Sequence, residues 1–465
     1  MNILLLSIPS VIYLLILAAI TFYIIKHRES GTTNRFAKGF ANYKAGIIFF
    51  TLAATFVGPA YSLGVVNQTY SLGFGFSLIY MLAVVHLLLT GIYLLRLKDQ
   101  GRFKNIRATG NLMENVFGKT GRFVLGVFVV AQYTALVSIL AVGGATVLDV
   151  VFGMPRELTI FLIAIIVATY SFSCGMIGVL RTDVIQFCFL VVIGLVALVG
   201  TAMVFFGPKQ VGVIEPAAPS EVLTATQWWS FAVAFVLGEA LQPFYLNRVF
   251  MAQSAKDAGR GFIGTAVFGL VWFTILGVFG VLCLRVISAE AQTQGIFLQA
   301  IPVLFGDSVL ATMVMGLLAA AFLGVVMSTL DSILNAGAVS FVDDLYCSFG
   351  NMEDEDRLPV MRIAIVVMAI SGALLGSFGG NIVQLLIFAY TLWVPTIVPP
   401  LALAFFWPQV GRRPGWVMLI PTALGGLVTF LVPEAITNAV PAIVLGLVAN
   451  VVLLGVLVRV SQPKE

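Results

Sequence analysis

Charge is the scarcest commodity in this chain. Only 10% of its 465 residues are Asp, Glu, Lys or Arg, against about a quarter in a soluble globular protein. A surface of that composition cannot be covered with charge in water, so the solvent it implies is lipid. Histidine is nearly absent, with only His27 and His86. The four cysteines, Cys174, Cys188, Cys283 and Cys347, lie within or at the ends of apolar runs. Neither set has metal-ligand spacing or a disulfide framework, which argues against a transition-metal centre and makes the cysteines packing residues. The segments between apolar runs are short, leaving no room for a soluble domain. The net charge of +4 does not imply nucleic acid, because membrane topology accounts for it.

What is present is apolar length. A spanning helix needs about 20 predominantly apolar residues. The runs that qualify are 3–25, 43–68, 74–96, 122–149, 158–176, 180–206, 226–250, 260–285, 309–346, 361–378, 381–407, 414–433 and 436–459. The pattern predicts an all-α polytopic membrane protein of about thirteen spans, forming one membrane unit over 1–465. The ninth run is too long for a simple span and is expected to continue as helix into the cytoplasm. The first run is followed, not preceded, by basic residues (KHR), the reverse of a secretory signal, and is read as a retained helix.

Lys and Arg set the orientation. With the N-terminus outside, all 25 fall on the inner side except Arg156, Lys209 and Arg285. The C-terminus is then cytoplasmic, and the membrane a bacterial-type inner or plasma membrane. Arg248 is counted here among the inner-side charges.

Three acids fall well within spans, Asp183, Glu239 and Asp331, and no Lys or Arg is expected comparably deep. Buried ionisable groups in lipid are costly and usually mark an ion or substrate path. Acids without internal bases call for an arriving cation or for protonation. The densest polar cluster within a span is MSTLDSILN (327–335). Ser328, Asp331 and Ser332 share a helical face by i, i+3, i+4 spacing, and Thr329 lies about 100° round from Ser328. Hydroxyl and carboxylate oxygens suit a hard cation. The hydroxyls alone would equally suit helix-to-helix bonding.

Two spans carry breaks. TLAATFVGPAYSLG (51–64) places Gly58-Pro59 mid-span, and FVLGEALQPFYLNR (235–248) carries Gly238 and Pro243 five spans later. Proline removes an N–H and clashes with the preceding turn. The freed carbonyls, with candidates from Ala53 to Phe56, need polar company in lipid. Broken spans at matching positions in two halves point to the midplane site of a secondary transporter.

The sequence resembles the sodium:solute symporters through AATFVGPAYSLG (53–64), GVLRTDVIQ (178–186), QPFYLNRVFMAQSAKDAGRG (242–261) and MSTLDSILNAGAVSFVDDLY (327–346). The resemblance implies a leucine-transporter-like core of two inverted five-helix repeats, over 43–206 and 226–407. A peripheral segment, 1–42, would precede the core and two helices, 408–465, would follow it. It further implies Na+ as the coupling ion, held by main-chain oxygens of Ala53, Phe56 and Val325 and by the hydroxyls of Ser328 and Thr329. A second cation site would map to Asp183, Ser328, Asp331 and Ser332. The family's sialic acid carriers have serine where this chain has Asp331, so that carboxylate could tighten a second Na+ site or hold H+.

Substrate, a small organic solute, is expected beside the breaks, lined by Thr55, Val57, Gly58, Gln132, Glu239, Gln242 and Tyr390. Glu239 favours an amine-bearing solute or one whose acid is matched by a proton. No Arg or Lys is expected to clamp a carboxylate, which helix N-terminal N–H groups at the breaks could still meet. The reading is a Na+-coupled importer working by alternating access. Its alternatives are H+ coupling through Asp331 and Glu239, or a transporter-like sensor without flux. No paired histidines, acidic metal cluster or activated nucleophile supports an enzyme. The EDED run, 353–356, reads as a solvated inner loop.

Overall fold

The computed structural model describes every residue except 1, 28, 30, 41, 207–222, 288–294, 351, 379–381, 434–435, 437–439 and 463–465. Arg28, Lys209 and Lys464, all used in the charge count, lie outside the described residues. Every apolar run contains helix among the described residues. The peripheral α1 (Ile3–Lys26) leads to a short α2 (Thr33–Lys38). The first broken span is α3 (Ala45–Phe56), a tight turn Pro59–Tyr61, and α4 (Leu63–Leu72). Next come α5 (Gly75–Arg96), α6 (Gly110–Phe152) and α7 (Arg156–Phe206). The second broken span is α8 (Ala225–Gly238) with α9 (Pro243–Met251). After it run α10 (Ala255–Leu282), α11 (Ile296–Phe305), α12 (Val309–Val339) and α13 (Asp354–Ser377). The chain closes with α14 (Ile382–Trp393), α15 (Val398–Phe406), α16 (Trp416–Leu431) and α17 (Ala442–Val460).

Among the described residues nine helices are long and apolar enough to cross a membrane. The number is ten if Leu385–Trp393 and Val398–Phe406, bent by 58°, form one span. The expectation of about thirteen differs for local reasons. The count takes α7 as one element, although the non-helical Gly175, with φ +54°, divides it into two helices that carry the runs 158–176 and 180–206. The pieces α3 and α16 are short apolar helices when taken singly.

The ninth run does continue as helix past Val339, through a wide π-type turn Ser340–Leu345. The EDED run is not a loop throughout, because Asp354, Glu355 and Asp356 form the first turn of α13, where acidic side chains meet the positive end of the helix dipole. Asp354 also pairs with Arg107 at 3.1 Å.

The interior is built of apolar side chains around α3, α6, α7 and α12. The outward faces stay apolar too, with Leu4, Leu15, Val271 and Leu427 exposed, as a lipid-facing surface requires. The helix α12 is buried along most of its length. It packs on α7, α6, α1 and α3, so its polar cluster has neighbours on several sides.

Candidate functional site

The break in the first broken span follows from its residues. Helix α3 ends at Phe56, and Pro59 opens the next short turn. The Ala53 carbonyl is still taken by the Val57 N–H at 3.2 Å. The Thr55 carbonyl would be met by the N–H of residue 59, which proline lacks. Side chains of α12 supply the missing donors. The Ser328 hydroxyl donates to the Ala54 carbonyl at 2.7 Å, and the Thr329 hydroxyl lies 3.2 Å from the carbonyls of both Thr55 and Val325. The hydroxyls thus meet the two residues lying between the expected Ala53 and Phe56. Gly58 makes this approach possible, since a Cβ there would sit 2.9 Å from the Thr329 hydroxyl oxygen.

The second break is bounded by Gly238 and by Pro243 at the first position of α9, where a missing N–H costs nothing. A Cβ at Gly238 would lie 2.2 Å from the Tyr390 ring, so only glycine admits that ring. Leu241 is left-handed at φ +57°, a conformation that costs a non-glycine residue about 1–2 kcal/mol. The freed polar groups are met from within the bundle. Gln242 donates from its side chain to the Gly238 carbonyl at 2.6 Å, and the Trp393 indole donates to the Ala240 carbonyl at 3.2 Å. The Phe244 N–H donates to the Tyr133 hydroxyl at 3.2 Å.

Glu239 sits in the second break among aromatic side chains. It accepts from Tyr245 at 2.6 Å and from the Tyr390 hydroxyl, which lies 3.2 Å from that of Tyr61. A cavity of about 30 Å³ lies between the two breaks, lined among others by Thr55, Gly58, Tyr61, Glu239 and Thr329. That volume is about what one water occupies in the liquid, so an organic solute requires the breaks to part. Of the expected lining residues, Thr55, Gly58 and Glu239 face the cavity, and Tyr390 reaches it through Glu239. Val57, Gln132 and Gln242 do not line it. Gln132 is buried on α6 with neither amide atom hydrogen-bonded within the protein.

The expectation that no base lies deep is overturned. Arg248 is fully buried. Its guanidinium donates to Ser332 at 2.7 Å and to Thr51 and Thr55 at 3.0 Å, and lies 3.5 Å from the Asp183 carboxylate. The reason is directional. Side chains on a helix lean towards its N-terminus, and α9 starts at the mid-span break. Arg248 accordingly reaches back over its own helix, donating to the Phe244 carbonyl at 2.8 Å. A residue counted at the inner end of a run therefore places its charge inside the bundle.

This arginine also changes the second cation group. Asp183 accepts from Thr51 and pairs with Arg248. The Ser332 hydroxyl accepts from Arg248 and lies 3.1 Å from that of Thr55. Asp331 turns instead to α7, where Tyr170 donates to it at 2.7 Å. Ser328 goes to α3. The four residues are neighbours, but in this arrangement their oxygens serve different partners rather than one cage. One oxygen each of Asp183 and Asp331 has no hydrogen-bond partner within the protein. Arg181 is drawn away to Glu29 at 2.8 Å. Sequence reasoning missed Arg248, Thr51 and Tyr170. Thr51 had a legible signal, being four residues before Thr55 on the same face of α3.

Two broken helices crossed by a polar central helix, in an all-helical apolar bundle, define a leucine-transporter-like membrane protein. The chain belongs to the sodium:solute symporter family, whose model matches residues 46–420. It is 22% identical to the sodium/pantothenate symporter of Escherichia coli, over 93% of this chain and 97% of that protein. It is 26% identical to the sodium/glucose cotransporter of Vibrio parahaemolyticus, over 80% of this chain and 76% of that one. In structure it is similar to a Na+-coupled sialic acid symporter in a substrate-bound, outward-open state. There the TM-score is 0.80 with 16% identity, covering 99% of each chain.

Proposed function

We propose that this protein is a Na+-coupled importer of a small polar organic solute. Na+ binds where α12 crosses the first break, at the main-chain oxygens of Ala53, Phe56 and Val325 and the hydroxyls of Ser328 and Thr329. The observation that carries this reading is the pair of α12 hydroxyls meeting the carbonyls of Ala54 and Thr55 at the end of α3, the second of which Pro59 leaves without a helical donor. A hydroxyl that donates to a carbonyl keeps lone pairs for a cation, and hard cations take oxygen ligands of this kind. Na+ entering there would bridge α3 and α12 and hold the arrangement that accepts solute from outside. Its release inward would follow the solute's.

The solute class that Glu239 favours carries an amine. A carboxylate ringed by Tyr61, Tyr245 and Tyr390 offers both charge and aromatic faces to a cationic group. The relatives include proline carriers as well as pantothenate and glucose carriers, and a cyclic secondary amine fits this chemistry better than a sugar.

The test is radiolabelled Na+ binding to the purified protein, wild type against Ser328→Ala. Saturable binding in the wild type, weakened at least tenfold in the variant, is the expected result. Equal binding in both would remove Ser328 from the site. Uptake driven by a pH gradient in Na+-free buffer would replace Na+ by H+ as the coupling ion, with Asp331 and Glu239 as its carriers.

A further inference from the structure

A second cavity lies away from the two breaks, between α2, the segment 97–109 and the start of α6. Its volume is about 670 Å³, within the range of small-molecule sites, and its wall carries Arg35, Lys38, Lys104, Arg107 and Arg122 with asparagine side chains between them. Among the described residues no acidic side chain lines it. Five cations around one hollow repel each other unless something neutralises them.

The neighbouring acids neutralise only part of that charge. Arg107 pairs with Asp343 at 2.6 Å and with Asp354 at 3.1 Å, and Arg357 shares Asp343 at 3.1 Å. Arg122 pairs with Glu114 at 2.8 Å and lies 3.6 Å from Asp344. Among the described residues, Arg35, Lys38 and Lys104 form no ion pair. Arg35 stacks over the exposed Phe40 ring at 5.4 Å. The Lys38 ammonium has a carbonyl contact at 3.4 Å, to Lys104. Half-burial and the charge of Arg107 together push the Lys38 ammonium down to about 8. The site therefore holds positive charge that its own acids leave unbalanced.

We propose that this cavity binds a phosphate-bearing anion, either the headgroup of an anionic phospholipid or a soluble phosphate ester. Arginine forks and lysine point charges are the side chains that recognise phosphate oxygens, and asparagine amides add neutral donors. The side of the membrane that the Lys and Arg bias reads as inner is the one whose leaflet carries anionic lipid. The exposed Phe40 at the rim gives an acyl-linked ligand an apolar surface beside the charges. Through Arg107 and Asp343 the cavity abuts the turn that ends α12, the helix carrying Ser328 and Thr329. An anion here would fix α2 and the 97–109 segment against that turn.

The experiment uses the whole protein in a neutral maltoside detergent and follows its melting temperature. It is titrated with short-chain phosphatidylglycerol, with phosphatidylcholine of the same chain length, and with inorganic phosphate, with chloride matching the ionic strength throughout. Saturable stabilisation by phosphatidylglycerol alone assigns the site to a lipid headgroup. Stabilisation by inorganic phosphate as well assigns it to any phosphate group. In Lys38→Gln/Lys104→Gln the half-saturating concentration should rise about 30-fold, at roughly 1 kcal/mol per cation. If that double variant fails to fold, the exposed single variants Lys104→Gln and Arg35→Gln decide, each with a rise of about fivefold. No stabilisation of the wild type, stabilisation by phosphatidylcholine equal to that by phosphatidylglycerol, or equal titrations in wild type and variants would overturn the proposal.

Discussion

The guanidinium of Arg248, on the helix after the second break, lies 3.5 Å from the carboxylate of Asp183 on α7, and both are fully buried. Ser332 of α12 and Thr51 and Thr55 of α3 share the same guanidinium. One cation thus joins four helices, two of which carry the breaks. Any opening of the bundle at this level has to separate Arg248 from some of these partners.

Removing one member of a buried pair leaves the other uncompensated, at a cost of about 3–5 kcal/mol. Arg248→Ala should lower the melting temperature strongly. Arg248→Met combined with Asp183→Asn should recover part of the loss, because neither charge is then stranded. A double variant no more stable than Arg248→Ala alone would show that the two charges do not depend on each other. The comparison needs only thermal melts of three purified proteins, the wild type and these two variants.

Gly58 has no room for a methyl group. With a Cβ 2.9 Å from the Thr329 oxygen, Gly58→Ala should push α12 away from the end of α3. Overpacking of this kind costs about 1–3 kcal/mol. The larger effect should be on Na+, with affinity falling at least tenfold while the protein still folds. Na+ affinity unchanged in a folded Gly58→Ala would separate the Thr329 hydroxyl from the ion.

Tyr390→Phe removes one of the two donors on Glu239 while keeping the ring that packs on Gly238. The loss of a hydrogen bond to a charged group is worth about 1.5–3 kcal/mol. Solute affinity should fall about tenfold or more, with Na+ binding in the absence of solute unchanged. Glu239→Gln should abolish uptake of an amine-bearing solute. Measured together, solute uptake and Na+ binding separate the two sites, and loss of Na+ binding in Tyr390→Phe would contradict the assignment.

Lys38 supplies a pH signature. Its ammonium is lowered from 10.5 to about 8 in the folded protein by burial and by Arg107, so between those values the unfolded chain binds more protons at this side chain. Stability from this group therefore rises as pH increases from about 8 towards 10.5, and the penalty is fully present below 8. Lys38→Met should be more stable than wild type at pH 7, with the difference shrinking as pH rises across that window. A difference independent of pH would mean that Lys38 is not electrostatically strained.

Much of the fold was legible because lipid constrains sequence so strongly. Apolar runs of spanning length become helices, since only a helix satisfies a single segment's own backbone in a membrane. The helices fall on those runs, including the extension of α12 past Val339. Both breaks were legible as well, from Gly58-Pro59 and from Gly238 with Pro243, because proline's missing N–H acts locally. The exact span count was less legible, because pieces such as α3 and α16 are too short to count as spans when taken singly.

The site divides along the same line. By itself the sequence determined which side chains are polar in the membrane, that Ser328 and Thr329 sit on one turn of α12, and that the first break strands carbonyls. Only the tertiary structure decided their partners. It paired Ser328 with Ala54, turned Asp331 to Tyr170, and brought Arg248 inward to Asp183 and Ser332. The physical reason is that composition and periodicity report a residue's depth along its own span. A long side chain such as arginine carries its charge a full helical turn from its Cα, in a direction set by where its helix starts. Which helix receives that charge depends on packing between elements far apart in the chain, and that is encoded in no single span.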